Sequence, residues 1–386
     1  MAQSESPLFP DDVSAEERTG EAVDAGKGRI FPCDQCGADL EFSIGQQSLQ
    51  CPYCGFVKSI ELPETEIVEN DYLAALRRLE EQKAETTPAE EVKDVHEIRC
   101  EGCGANVVFQ GTLTSTTCPY CATPLQRDRV HNASARIRVD AVVPFLVPYE
   151  RAASNLRTWV QALWFAPNDF KREGANGKFQ GCYLPFYTFD AATFTRWSGQ
   201  RGDYYYETIQ KANNQTERVR RTRWTSTWGE FDKPFDDVLV LALEDDRRNL
   251  IQSLEPWPLD KALPFTLQFL SGYFARTYDV ALEDGFRRGK ERMDAAINQE
   301  IIRRIGGNEQ RVMGKNSTYN DITYKHLLLP VWLLAYRYKQ KTFRVTVNAA
   351  TGEVQGERPY SWVKITLFVL MWVIIAAALF FFFQSR

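Results

Sequence analysis

Cys33-Asp-Gln-Cys36-Gly37-Ala38, followed by Cys51-Pro-Tyr-Cys54-Gly55, recurs as Cys100-Glu-Gly-Cys103-Gly104-Ala105, followed by Cys118-Pro-Tyr-Cys121-Ala122. Fourteen residues separate the two pairs in each copy, the offset between copies is 67 throughout, and Phe42 recurs at that offset as Phe109. Four thiolates at a metal–sulfur distance of about 2.3 Å close a tetrahedral site, and a Cys-x-x-Cys turn presents two of them from one loop. Gly37, Gly55 and Gly104 supply the unusual backbone angles that follow the second cysteine of a pair, and Ala122 departs from the pattern. Two such loops held by a hairpin form a zinc ribbon. The expectation is therefore two zinc ions, one on Cys33, Cys36, Cys51 and Cys54, the other on Cys100, Cys103, Cys118 and Cys121. Rubredoxin-type iron uses similar knuckles with a longer insert, and a redox dithiol would not need its pairs in fours. Protein sulfur fills all four positions, so these sites hold small modules together and leave no position open for catalysis.

The redox context agrees. Eight of the nine cysteines lie in these pairs, and Met1 to Gly28 is polar and acidic with no apolar h-region, so the chain reads as cytoplasmic and reduced. The ninth, Cys182, sits in the apolar run Gly181-Cys-Tyr-Leu-Pro and reads as a buried, inert thiol. A net charge of -5, with 25% charged and 44% hydrophobic residues, is ordinary globular composition and gives no general attraction to nucleic acid or anionic lipid.

Outward from the repeat, residues 1–28 read as a disordered acidic tail, 29–64 and 98–130 as the two ribbons, and 65–97 as a helical linker. In that linker Asn70 is the expected cap of a helix whose narrow stripe is Leu73, Leu76 and Leu79, ending at Thr86-Thr-Pro88. Residues 136–360 read as one mixed domain. Val142–Val147 and Tyr183–Phe189 look like strands, Tyr149–Phe165 looks like a helix with Leu156, Trp159, Val160 and Leu163 on one face, and Leu327–Tyr336 looks like a buried strand. Leu282, Phe286, Met293, Ile297, Ile301 and Ile305 mark a long amphipathic helix stopped by Gly306-Gly307. Phe343–Val347 alternates and turns at Asn348–Gly352 into Glu353–Gln355. Leu184-Pro-Phe-Tyr187 resembles Leu329-Pro-Val-Trp332, a faint duplication of a helix-plus-hairpin unit.

Ile365 to Phe383 holds no charge, and a run of ~20 apolar residues spans a bilayer core. Residues 363–383 are thus expected to form a single transmembrane helix in the cell inner membrane, with Trp362 and Lys364 as interfacial anchors and the soluble part facing the cytoplasm. The fold class expected is α+β: two small zinc ribbons, a mixed antiparallel α+β domain and one C-terminal transmembrane helix.

Signals for chemistry are sparse. His96, His131 and His326 are scattered, and no Ser/His/Asp grouping stands out. Gly314-Lys315 resembles part of a P-loop, but the required first glycine is Glu309 and the required Ser/Thr is Asn316, so no nucleotide site is expected. One stretch interleaves Arg196, Arg201, Lys211, Arg218, Arg220, Arg221 and Arg223 with Trp197, Tyr204, Tyr205, Tyr206, Trp224 and Trp228. Arginine with aromatics suits phosphate contact and base stacking, and equally lipid headgroups. The plain alternative is the exposed face of a hairpin with its aromatics buried below. The first ribbon, with Asp34, Asp39, Glu41 and Glu61 against Lys58, is not built to grip phosphates.

The cysteine repeat, together with Tyr183–Asp190, Arg220–Trp224, Phe235–Val240, Leu328–Trp332 and Val347–Pro359, resembles a bacterial family of membrane-anchored tandem zinc-ribbon proteins. That family carries the labels transcription-factor-IIB-type zinc ribbon and primosomal protein N′ (replication factor Y)/superfamily II helicase-like. The resemblance covers roughly residues 30–380. Relatives near band-7 (SPFH) and phage-shock-type proteins imply a membrane-stress or scaffold role. The helicase label finds no Walker A lysine here. The expectation is a non-enzymatic adaptor that recruits partner proteins to the membrane, with nucleic-acid binding as the alternative.

Overall fold

The computed structural model describes residues 31 to 384, with 32, 39, 63–65, 86–95, 100–105, 110–114, 118–123, 127–129, 133–136, 174–178, 211–215, 245–247 and 340 outside the description, and adds the two-residue strands Val23–Asp24 and Gly28–Arg29. The chain is a mixed α+β protein whose sheets are largely antiparallel. The helices are α1 Tyr72–Glu85, α2 Tyr149–Ala162, α3 Asn168–Glu173, α4 Arg248–Gln252, α5 Leu282–Ile305 and α6 Trp362–Gln384.

Three long strands dominate a nine-stranded sheet: β1 Gln180–Gln210, β2 Thr216–Leu241 and β3 Glu309–Tyr338. They lie in the order β2-β1-β3, both pairs antiparallel. β4 Lys341–Asn348 continues from β3, and β5 Val354–Gly356 pairs with β4. The two Leu-Pro segments meet across the β1–β3 ladder, where Leu184 pairs with Leu329. At this level the sheet is buried on both faces. Val143, Leu184, Phe186, Leu329 and Trp257 fill one side, and Phe145, Tyr183, Trp332, Val160 and Leu156 of α2 fill the other.

Beyond residue 190 the same strands continue as an arm. Here alternation decides everything. Ala191, Thr193, Thr195, Trp197 and Gly199 are buried under α5, whereas Ala192, Arg196 and Ser198 point to solvent. Met293, Ile297, Ile301 and Ile305 recur every four residues along α5, and the last three meet Trp197 and Phe231. Gly306 (φ 64°) ends α5. Ile297 is fully buried, so Ile297→Ala should cost about 2–5 kcal/mol by leaving a cavity between helix and arm. The check is a denaturant titration of the detergent-solubilised chain, with the loss appearing as a lower midpoint.

Several expectations are adjusted. The cap of α1 is Asp71, whose Oδ1 accepts from the Ala74 N–H at 2.6 Å, while Asn70 donates to Asp140 at 3.1 Å. Among the described side chains of α1, Tyr72 and Ala75 are buried and Leu73 is 55% exposed, and the helix packs on the sheet. Of the expected 142–147 strand only Val142 pairs as a strand, together with Ala141 before it, with Leu263–Pro264 and β3 on either side. Pro144 lacks a backbone donor, and the segment past it turns so that the Leu146 and Val147 N–H groups both donate to Ala349 O. α2 stops at Ala162 because Leu163 turns to an extended backbone (ψ 90°), releasing Trp164 and Phe165 from the helix.

α6 is long and apolar enough to cross a membrane, and none of its residues is buried against the rest of the protein.

Candidate functional site: a cysteine quartet and an open sheet face

The first knuckle pair is built by two matching turns. Cys33 donates its N–H to Ala38 (2.7 Å) and accepts from Gly37 (2.9 Å); Cys51 donates to Phe56 (2.8 Å) and accepts from Gly55 (3.1 Å). Gly37 and Gly55 have φ of 71° and 76°, and a Cβ at either would touch nothing within 4 Å. Backbone conformation rather than crowding therefore demands glycine there. The hairpin Glu41–Ser43/Ser48–Gln50, extended by Val57–Ser59, holds the two turns face to face.

The four sulfurs converge. Cys33 Sγ lies 3.5 Å from Cys54 Sγ, Cys36 Sγ lies 3.4 Å from Cys51 Sγ, and all four lie within 4.8 Å of one another. A disulfide needs about 2.05 Å, whereas a tetrahedron with 2.3 Å bonds has edges of about 3.8 Å. The spacing fits a shared central ion, and this quartet can hold one metal ion. Charge points the same way. Backbone N–H groups, that of Cys54 first, pull the Cys51 thiol down to about 6. At Cys54 the Phe56 N–H pulls downward, but desolvation and the three neighbouring thiols win and lift it to about 12. Cys36 is also raised, the Cys51 and Cys33 thiols and desolvation outweighing the Ala38 N–H. Four sulfurs this close ionise together only around a cation.

The module is seated on the α+β domain. The Phe42 N–H donates to Ser271 O at 3.1 Å, the Ser271 hydroxyl donates to Leu40 O, and the Phe42 ring lies 5.5 Å from Phe269 and 6.4 Å from Tyr273. Cys33, Leu40, Phe42, Leu49 and Cys51 share one continuous core with Phe145 and Trp332. The Lys58–Asp34 ion pair (3.2 Å) is exposed on both sides and worth at most ~1 kcal/mol.

Cys100, Cys103, Cys118 and Cys121 lie outside the described residues, as does Lys211. The strands around that second quartet are described. Ser115–Thr117 pairs with Pro124–Gln126, Ser115 opposite Gln126, which reproduces the Ser48–Ser59 register at the 67-residue offset. Cys182 is buried in β1, its thiol 3.4 Å from Tyr183 O.

The arginine–aromatic stretch forms the outer arm. Tyr204 pairs with Thr222, Tyr206 with Arg220 and Ser198 with Trp228, so Tyr204, Tyr206, Arg218, Arg220, Trp224 and Trp228 share the face opposite α5. The guanidiniums lie over rings: Arg218 over Tyr206 (4.6 Å), Arg220 over Tyr204 (4.4 Å) and Arg311 over Trp224 (3.8 Å). Trp228 is 81% and Tyr206 57% exposed, whereas Trp197 is buried on the α5 face. Sequence alone did not separate these faces; register does. Acids temper the charge: Glu230 pairs with Arg196 (3.4 Å), Asp203 with Arg201 (3.1 Å), and Glu207 with Arg221. Gly314 and Lys315 lie within β3, with Lys315 ion-paired to Asp294 at 3.3 Å, not in a loop before a helix.

No family model matches this chain, and no solved structure matches it. It is similar to a Bacillus subtilis (strain 168) protein named "Uncharacterized protein YdjG", 26% identical over 345 residues that span 87% of this chain and 91% of that one.

Proposed function

We propose that this chain is a membrane-tethered adaptor that binds partner proteins at the cytoplasmic face of the inner membrane and performs no chemistry itself. In this reading α6 is the single span, zinc ions staple both cysteine quartets, and the arm is the contact surface. The observation that carries it is the open arm face. Trp228 stands exposed on strands whose other face, at Trp197 and Phe231, is covered by α5, so the surface there is held before anything binds, and Tyr206 stands exposed farther out on the same face. Tyr, Trp and Arg dominate protein interfaces, the aromatic rings because they bury a large area at little ordering entropy and the guanidinium because it stacks on rings and donates several hydrogen bonds. The resemblance to proteins found near band-7 scaffolds fits such a role.

Nucleic acid is the second reading, favoured by the Arg–Tyr ladder of Arg218, Arg220, Tyr204 and Tyr206. Both are tested by purifying the full chain from membranes with and without nuclease. Trp228→Ala with Tyr206→Ala should reduce a co-purifying protein at least tenfold while leaving zinc content and membrane association unchanged. Material that instead disappears with nuclease, and is released steeply as salt rises, would replace the adaptor reading with the second.

A further inference from the structure

α6 does not leave the domain as a free stalk. The Ser361 N–H donates to Phe165 O at 2.8 Å, Lys364 Nζ donates to Ala166 O at 2.7 Å and to Trp164 O at 3.5 Å, and Phe368 meets Phe165 edge-on at 5.4 Å. The loop released by the early end of α2 is thus the seat of α6. Beside this seat opens a cleft of ≈ 470 Å³ lined by Trp164, Lys171, Lys364, Leu367, Phe368 and Met371.

The cleft has a charged part and an apolar part. Lys171 of α3 and Lys364 are the charged residues that line it, and Lys364 keeps one ammonium donor beyond its bonds to Ala166 O and Trp164 O. Lys171 donates to Gln161 O at 2.7 Å, which fixes the side chain but leaves two of its three ammonium donors. Among the described residues that line the cleft there is no carboxylate to pair with the two charges. Leu367, Phe368 and Met371 form the other wall. Met371 is seven residues beyond Lys364, ~10 Å along the helix axis. Trp164 is 74% and Trp362 82% exposed, one from the domain and one from α6, both at the seat. Exposed tryptophans at this level are what a membrane–water interface selects.

We infer that this cleft binds one anionic phospholipid, its phosphate between Lys171 and Lys364 and an acyl chain along Leu367, Phe368 and Met371. The inference rests on the tether reading above, which sets Lys364 at the interface and Met371 ~10 Å deeper, the offset between a lipid's phosphate and the upper part of its chains. A zwitterionic lipid presents no net charge to the two ammonium groups, so selectivity for the anionic class follows. The bound lipid would fill the gap beside the seat and fix the tilt of the domain on the membrane.

The experiment reconstitutes the full chain into nanodiscs with equal phosphatidylglycerol and phosphatidylcholine, releases it into detergent, and counts retained lipids by native mass spectrometry. One phosphatidylglycerol per chain is expected, preferred by about 30-fold for two ammonium groups. Lys171→Gln with Lys364→Gln should remove the preference. Met371→Trp, a change on an exposed helix face, should fill the cleft and remove the adduct. Equal retention of both lipids by the unmodified chain, or a preference that survives the double substitution, overturns the inference. Flotation of the same chain with vesicles separates the two claims. A chain that floats yet retains no phosphatidylglycerol refutes the cleft alone, while a chain that does not float refutes the tether and the cleft with it.

Discussion

Cys51→Ser should lower the zinc content of the purified full chain from two equivalents to one and loosen more than the ribbon that carries the change. The first effect follows from stoichiometry, because three thiolates around one hydroxyl no longer close a soft tetrahedral site. The second follows from the seat. A module this small has no sufficient core of its own, and metal binding in isolated zinc modules supplies roughly 10–16 kcal/mol that becomes folding free energy. Here Leu40, Phe42 and Leu49 share a core with Phe145 and Trp332, and Phe42 covers Phe269 and Tyr273. Losing the ion therefore uncovers one side of the α+β domain, and the domain's own melting temperature should fall as well. Elemental analysis and thermal unfolding of the two chains are the measurements. Cys182→Ala, buried in β1 and separate from the quartet, is the control and should leave the zinc content at two. An unmodified chain with one zinc, or with iron in both sites, contradicts the assignment.

Ending the chain after Trp362 should move it from the membrane pellet to the supernatant. The run from Ile365 to Phe383 contains thirteen Leu, Ile, Phe and Val residues. At about 0.3–0.6 kcal/mol each on an insertion scale these contribute roughly 4–8 kcal/mol, a partition ratio of about 10³–10⁶. The described part of the protein covers little of that surface: Phe368 meets Phe165, and no residue of α6 is buried. Removing it also removes Lys364 and Phe368 from the seat, so Trp164 and Phe165 become a small apolar patch on an otherwise soluble domain. Retention of the shortened chain on membranes at high salt would show that α6 is not the tether.

The parts legible in the sequence were those with one strong physical signal. Cysteine spacing named the first quartet, because a tetrahedral ion imposes its geometry on chain spacing. Met293, Ile297, Ile301 and Ile305, closed by Gly306-Gly307, fixed α5, because one apolar stripe and one stop leave few alternatives. The arm was not legible. Its buried face is Thr193, Thr195 and Gly199 between single large residues, so period-two hydrophobicity never appears, and α5 supplies the apolar atoms instead. The same blindness applies to Glu309–Tyr324, where the sequence offered only the failed phosphate motif at Gly314-Lys315 and the chain folds as strand. The seat of α6 was hidden for the opposite reason. Leu163, Trp164 and Phe165 continue an apolar run, and only the turn at Leu163 shows that two of the three leave the helix to hold another element. Leu73, read into the stripe of α1, is exposed, because Tyr72 one position earlier has the larger surface to bury.

The adaptor reading stands or falls on what touches the open face of the arm. A photo-crosslinking amino acid at position 228, in the full chain and in intact membranes, reports that contact directly. The account predicts a discrete protein adduct at 228 that survives nuclease, and none at position 297, which lies buried between α5 and the arm. An adduct at 228 made only to nucleic acid or lipid, or no adduct at all in membranes where the chain is folded and zinc-loaded, would contradict it.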